Sequence, residues 1–328
     1  MLRTRGNRAR WVIMGAGALV CLALPFITGR LVTELLTTYL IFSLVALSLD
    51  LIWGYTGILS IGQFAFFGAG AYATALVVRG LADMGTASYP LAFLAAVGIP
   101  GILGLVVALI FFSVNLDELF VLVTIALAII SEKIVINQTE LLGGLNGLIL
   151  PYWVVPMNKA ALFYLVVGVV VLVYLLCRTV VESPFGKVLR AIKDSEKRTQ
   201  YLGYNTRLYK VSVYGLAAAI AGLGGFLYAI LSGFVAPPLL GFALSFDSVV
   251  WAAIGGLGTL YGPVAGTLLV SWAKFYLSGV LLEYWLLAVG FLFIVAVIYF
   301  PEGFAGVTRG LSVRLGLAKP TGADLRMD

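Results

Sequence analysis

Long apolar runs, broken by short polar or glycine-containing stretches, set the pattern of this chain. They lie near residues 11–27, 35–53, 57–78, 91–113, 119–136, 161–178, 211–232, 245–258, 263–282 and 284–301. Each is long enough, or nearly so, to cross the hydrocarbon layer of roughly 30 Å as a helix. Unpaired backbone groups are costly in lipid, so helices are the expected form. The pattern predicts an all-α, polytopic transmembrane helical bundle of about ten spans. The first run follows basic residues, as a signal peptide would. It has no clear small-x-small cleavage site and is read as a retained first span.

Composition agrees. Hydrophobic residues make up 62% of the chain and charged ones 11%, and mean hydropathy is +1.07. A soluble domain is about a quarter charged. The net charge of +6 does not point to nucleic acid, because the basic residues cluster where cytoplasmic segments are expected. They fall in MLRTRGNRAR at the start, in 178–210, and after Phe300. With the N-terminus inside, six spans return the chain to the cytoplasm at Arg178, and four more bring the C-terminus back inside. The expected organisation is a basic N-terminus over 1–10, a membrane domain over 11–301 with a cytoplasmic loop at 179–210, and a cytoplasmic tail over 302–328. The stretch 245–282 reads either as two spans or as one span plus a re-entrant piece.

The loop RTVVESPFGKVLRAIKDSEKRTQYLGYNTRLYK is too polar to span. Its apolar residues Val188, Leu189, Ile192 and Leu202 sit sparsely on a charged background. A short amphipathic helix after Pro184 and ending near Gly203 is expected. The loop is either a solvated connector or a docking element for a cytoplasmic partner.

The segment GYTGILSIGQFAFFGAGAY, Gly54–Tyr72, is apolar yet rich in glycine and hydroxyl groups. Read as one helix, it places Thr56, Ser60, Gln63, Phe67, Gly70 and Thr74 on one face. A second row, Gly62, Ala65, Ala69 and Ala73, is small throughout and suits close helix packing in lipid. The whole segment is then either a packing helix, or a helix whose polar row faces a path for a neutral or zwitterionic solute. A similar glycine pattern recurs in IGGLGTLYGPVAG, Ile254–Gly266, preceded by Asp247, Ser248 and Trp251. Pro263 beside Gly262 argues against an unbroken helix there. This second cluster is a tight turn between packed helices or a gate. The echo between Gly54–Gly62 and Gly255–Gly262 suggests two five-span pseudo-repeats with a solute site between them.

Ionisable residues within apolar runs are Asp50, Glu132, Lys133, Asp247, Lys274 and Glu283. They form no relay of the kind a proton or sodium pump uses. The chain has no histidine, and its two cysteines, Cys21 and Cys177, lie far apart. No metal site, disulfide framework or catalytic constellation is indicated. Gly186–Lys187 is followed by Val188, so there is no phosphate loop; if ATP drives this protein, another chain binds it.

Five blocks occur in order over roughly residues 40–305: DLIWGYTGILSIGQFAFFGAGAYATAL, LGGLNGL, GKVLRAIKDSEKRTQYLGYNTRLYKV, AAIAGLGGFLYA and IGGLGTLYGPVAGTLL. Together they resemble the branched-chain amino acid and urea permeases of ATP-binding-cassette importers, in particular the second of the two permease subunits. DLIWGYTGILS, LGYNTRLYK and AKFYL…LEYW look somewhat more like the urea branch. Both branches commonly carry histidine where this chain has Gln63.

The resemblance implies a multi-pass permease of the bacterial inner membrane. It would be paired with a second homologous permease, two cytoplasmic ATPase subunits and an extracytoplasmic substrate-binding protein. The chain itself would hold no cofactor, with ATP and Mg bound on the ATPase. On this reading Thr56, Ser60, Gln63, Thr74, Asn146, Asp247 and Trp251 are candidates for the substrate path. Gly186, Arg190, Asp194, Glu196 and Gly203 are candidates for ATPase docking. An ion-coupled secondary transporter, a channel and a membrane-embedded enzyme are the alternatives, in that order.

Overall fold

The computed structural model describes residues 29–113, 119–151, 159–280 and 290. The expected spans at 11–27 and most of 284–301, the basic N-terminus, the tail, Cys21 and Glu283 lie outside the described residues. The described helices are α1 Arg30–Thr56, α2 Gln63–Gly80, α3 Tyr89–Ser113, α4 Phe120–Asn137, the single turn α5 Thr139–Leu142 and α6 Lys159–Glu182. They continue with α7 Pro184–Asp194, α8 Glu196–Tyr201, α9 Thr206–Ser232, α10 Phe242–Gly255 and α11 Tyr261–Val280. Two short strands, β1 Leu148–Ile149 and β2 Phe234–Val235, pair antiparallel and link the α4–α6 and α9–α10 connections.

Five of these segments are long and apolar enough to cross a membrane: Leu31–Thr56, Ala82–Ser113, Phe120–Asn137, Ala160–Glu182 and Thr206–Ser232. Burial along α3 runs opposite to that of a soluble helix. Its buried face runs through Ala92, Ala96, Pro100, Gly104 and Ala108, spaced four apart, and closes on Phe112. Leu94, Ile102 and Ile110 stay exposed. Small residues inward and large apolar residues outward are what a helix needs to pack on neighbours while facing lipid.

Helix α9 is the hub and packs on α1, α2 and α3. Backbone meets backbone there. A side chain at Gly70 of α2 would strike the main chain of Gly222, and one at Gly225 would strike Phe67 and Ala71. The closest approach of α2 therefore runs through Gly70, which the sequence pattern put on the polar row. Helix α1 packs on α6, α7, α9, α10 and α11.

Two expectations are corrected, and one stretch that was left open is resolved. The run 57–78 is not one helix: α1 ends at Thr56, Gly57 turns left-handed at φ 79°, and α2 starts at Gln63. The row from Thr56 to Thr74 is therefore split, and only its part from Gln63 onward is a helix face. The loop after Pro184 is not one helix but two. Ser183 and Ser195 each accept a backbone N–H from three residues on, so the chain restarts at Ser195. The stretch 245–282 resolves into two helices, α10 and α11, joined at 256–260. Pro263 falls in the first turn of α11, where no backbone N–H is needed.

Candidate functional site

Both halves of the glycine echo are helix breaks, 57–62 and 256–260, and the end of α1 just before the first touches the second. Asp50, fully buried on α1, accepts the backbone N–H of Gly258 at 2.5 Å and of Leu260 at 3.0 Å. The Tyr55 hydroxyl donates to the Gly258 carbonyl at 2.8 Å. No side chain fits at Gly54, because its Cβ would meet the Gly258 backbone. Leu260 sits at φ 60°, alone among the described non-glycine residues in having a positive φ. The carboxylate and its two donors hold that strained elbow in place.

The same end of α1 meets the polar loop. Lys193 on α7 donates to the Gly54 carbonyl at 2.7 Å, and the Arg190 guanidinium lies 5.4 Å from the Tyr55 ring centre. A cation at the carboxyl end of a helix is electrostatically favourable. Helix α7 buries Gly186, Leu189 and Ile192. A side chain at Gly186 would strike the Val181 backbone, so glycine is what lets α6 turn into α7. Asp194 is exposed. Glu196 is ion-paired with the buried Lys210 at 2.7 Å and accepts from the Thr206 hydroxyl at 2.8 Å. Gly203 lies in the left-handed region at φ 89°. At the end of α8, Tyr201 is 89% exposed and Leu202 76%.

A cavity of about 350 Å³ opens between α1, α10 and α11. Tyr39 and Phe42 line it from α1, Asp247 and Trp251 from α10, and Ser271 and Lys274 from α11. Each pair is three or four residues apart and so shares a helix face. Lys274 donates to Asp247 at 2.6 Å. Phe42 stacks on Trp251 with ring centres 5.7 Å apart, and Phe64 meets Trp251 edge-on at 6.0 Å. Phe42 lies thirteen residues before Tyr55, so about 20 Å of helix separates the cavity from the α7 contact.

The other candidates for the substrate path do not converge on this cavity. Thr56 and Thr74 donate to carbonyls of their own helices. Ser60 pairs with the Tyr214 hydroxyl at 3.3 Å. Asn146 is exposed on the glycine turn that precedes β1. Gln63 is fully buried at the start of α2, and neither amide atom has a partner among the described residues. In the small row, Gly62 backs onto the Thr124 carbonyl of α4, Ala65 and Ala73 are buried, and Ala69 is half-buried. Sequence reasoning singled out Asp247 and Trp251 but missed Tyr39, Phe42, Ser271 and Lys193. Lys274 and Asp50 stood out only as charges in apolar runs. A row of Ser271, Lys274 and Ser278 at helical spacing was the available signal on α11.

These features define a multi-pass membrane protein with a charged cavity in its bundle and a polar segment braced against the end of a buried helix. Its sequence matches the model of the branched-chain amino acid transport system permease component family over residues 31–297, and the chain belongs to that family. It is 26% identical over 331 residues to the high-affinity branched-chain amino acid transport system permease protein LivM of Escherichia coli strain K12; the alignment covers 92% of this chain and 76% of the relative. A probable LivM of Methanocaldococcus jannaschii is 25% identical over 274 residues, covering 73% of this chain and 79% of the relative. BraD of Pseudomonas aeruginosa, of the same description as the first, is 23% identical over 281 residues, covering 81% and 91%. No solved structure matches the chain significantly. All three relatives are named for branched-chain amino acids, so the leaning toward the urea branch finds no support among them.

Proposed function

We propose that this chain is the membrane-spanning permease subunit of an ATP-binding-cassette importer for branched-chain amino acids. The solute is delivered by a substrate-binding protein, and ATP is hydrolysed on two partner ATPase subunits. A second homologous permease completes the path across the plasma membrane. The full chain crosses about ten times, in two five-span halves with both termini cytoplasmic.

The carrying observation is the α7–α8 segment. Its inner face holds the end of α1 through Lys193 and Arg190, while Tyr201 and Leu202 project outward. Exposed aromatic and aliphatic groups amid basic residues suit a protein partner on the cytoplasmic side. Asp50, the fully buried carboxylate among the described residues, is tied to backbone N–H groups. A carboxylate tied in that way is not one that exchanges a coupling ion.

Uptake of leucine into vesicles carrying the assembled complex is expected to require the ATPase subunits and ATP. Uptake by this chain alone, driven by an ion gradient, would overturn the reading. Uptake of urea but not leucine would move it to short amides.

A further inference from the structure

We infer that the cavity between α1, α10 and α11 is a recognition site for a zwitterionic α-amino acid with an apolar side chain. Asp247 receives the ammonium group, Lys274 the carboxylate, and the Tyr39–Phe42–Trp251 wall the side chain. The inference rests on the import reading above and adds a site and a selection rule to it.

The argument starts from charge. Asp247 and Lys274 stand 2.6 Å apart with side chains only 20% and 32% exposed. A partly desolvated pair contributes little to stability on balance, and apolar residues of similar size often serve the fold as well. Here the pair lies on the wall of a cavity whose 350 Å³ is the size of a small-molecule site. Its two charges sum to zero. A zwitterion can exchange each partner for one of its own groups and leave no net charge in a low-dielectric space. A lone cation or anion leaves one protein charge unpaired. An uncharged amide has nothing to replace the pair with.

A second observation points the same way. Trp251 is 2% exposed, lines the cavity, and its indole N–H has no acceptor among the described residues. A buried donor without a partner is costly unless something arrives to accept from it. A ligand carboxylate is the kind of acceptor that this donor lacks. The stacked Phe42 and Trp251 rings form an apolar surface beside the charges, which favours a branched aliphatic side chain over a polar one.

The test uses the full complex in lipid vesicles, with Cys21→Ser as background and Ser278→Cys as a reporter on the cavity wall. Leucine is expected to slow modification of that thiol by a methanethiosulfonate reagent several-fold. Leucinamide, 4-methylpentanoate and urea, which lack one or both charges, are expected not to. Asp247→Asn and Lys274→Met should each abolish the protection. Each should also raise the KM for leucine uptake about tenfold or more, the cost of removing one partner of a desolvated charge contact. The exchange variant Asp247→Lys with Lys274→Asp keeps an ion pair but reverses its polarity. It should assemble normally and still fail to be protected. Absence of protection by leucine, equal protection by urea, or full protection in the exchange variant each overturns the site. Whether uptake needs ATP is read separately and bears on the import reading alone.

Discussion

The Asp50 carboxylate on α1 and the Gly258 backbone N–H in the α10–α11 elbow are joined at 2.5 Å across 208 residues of sequence. A second bond, to the Leu260 N–H at 3.0 Å, uses the other carboxylate oxygen. Two N–H groups that no helix satisfies are thus paired inside the bundle. An alanine at position 50 leaves both donors buried without an acceptor, each costing about 1–3 kcal/mol. An asparagine keeps one acceptor oxygen. Thermal unfolding of the purified protein in detergent should therefore rank wild type above Asp50→Asn, and Asp50→Asn above Asp50→Ala. Equal midpoints for the two variants would show that a single acceptor oxygen at position 50 does not hold the elbow.

The elbow is also within reach of α7. Lys193 caps the Gly54 carbonyl at 2.7 Å, and the backbone of Gly54 presses on that of Gly258. A push on α7 is therefore passed to the α10–α11 break through a single helix end. Lys193 is exposed, so Lys193→Met should leave folding nearly unchanged, with a loss of at most about 1 kcal/mol from the helix terminus. The expected effect is on coupling: ATP hydrolysis by the complex persists while leucine imported per ATP falls. The ratio of the two rates, measured in the same vesicles, checks this. An unchanged ratio would mean that α7 acts through another contact.

Helix positions were legible in the sequence because apolar runs of membrane length leave little freedom, and most ends fell within a few residues of the observed ones. The break at 57–62 was not. Thr56, Ser60 and Gln63 keep helical spacing straight through it, and only Gly57, in the left-handed region, marks the stop. The break at 256–260 was foreshadowed, because Gly262–Pro263 carries an explicit signal. Asp50 stood out as a charge in an apolar run, yet its partners are backbone groups, which carry no sequence signature. The cavity was half legible. Asp247 and Trp251 drew notice, but pairing with Lys274 depends on how α10 folds back on α11, and Phe42 reads as ordinary core until a third helix arrives beside it.

Glycines at the helix crossings separate into those that are needed and those that are not. The Cβ of an alanine at Gly54 would meet the Asp50 carboxylate and the Gly258 backbone, whereas at Gly168 nothing lies within 4 Å. Gly54→Ala should lower the yield of folded protein and abolish uptake. Gly168→Ala, in the middle of α6, should be neutral or stabilise by up to about 1 kcal/mol through helix propensity. Size-exclusion profiles of fluorescent fusions read both. A well-folded, active Gly54→Ala variant would show that α1 and the elbow are free to separate.

The Glu196–Lys210 pair predicts an asymmetry. Lys210 is 3% exposed while the Glu196 side chain is 28% exposed. The Lys210 ammonium also lies 4.7 Å from the Phe112 ring centre, a cation–π contact that neutralises no charge. Glu196→Gln removes the anion beside a buried cation, which costs about 3–5 kcal/mol when the pair is fully desolvated. Lys210→Met removes the cation instead. The glutamate left behind is partly solvated and still accepts from Thr206, so the cost is smaller. Both variants together remove the two charges of the pair at once and should lose less than the sum of the singles. A double-mutant cycle on thermal unfolding measures the coupling. If Glu196→Gln is tolerated as well as Lys210→Met, the buried ammonium is held by groups other than Glu196, and the α8–α9 junction does not depend on this pair.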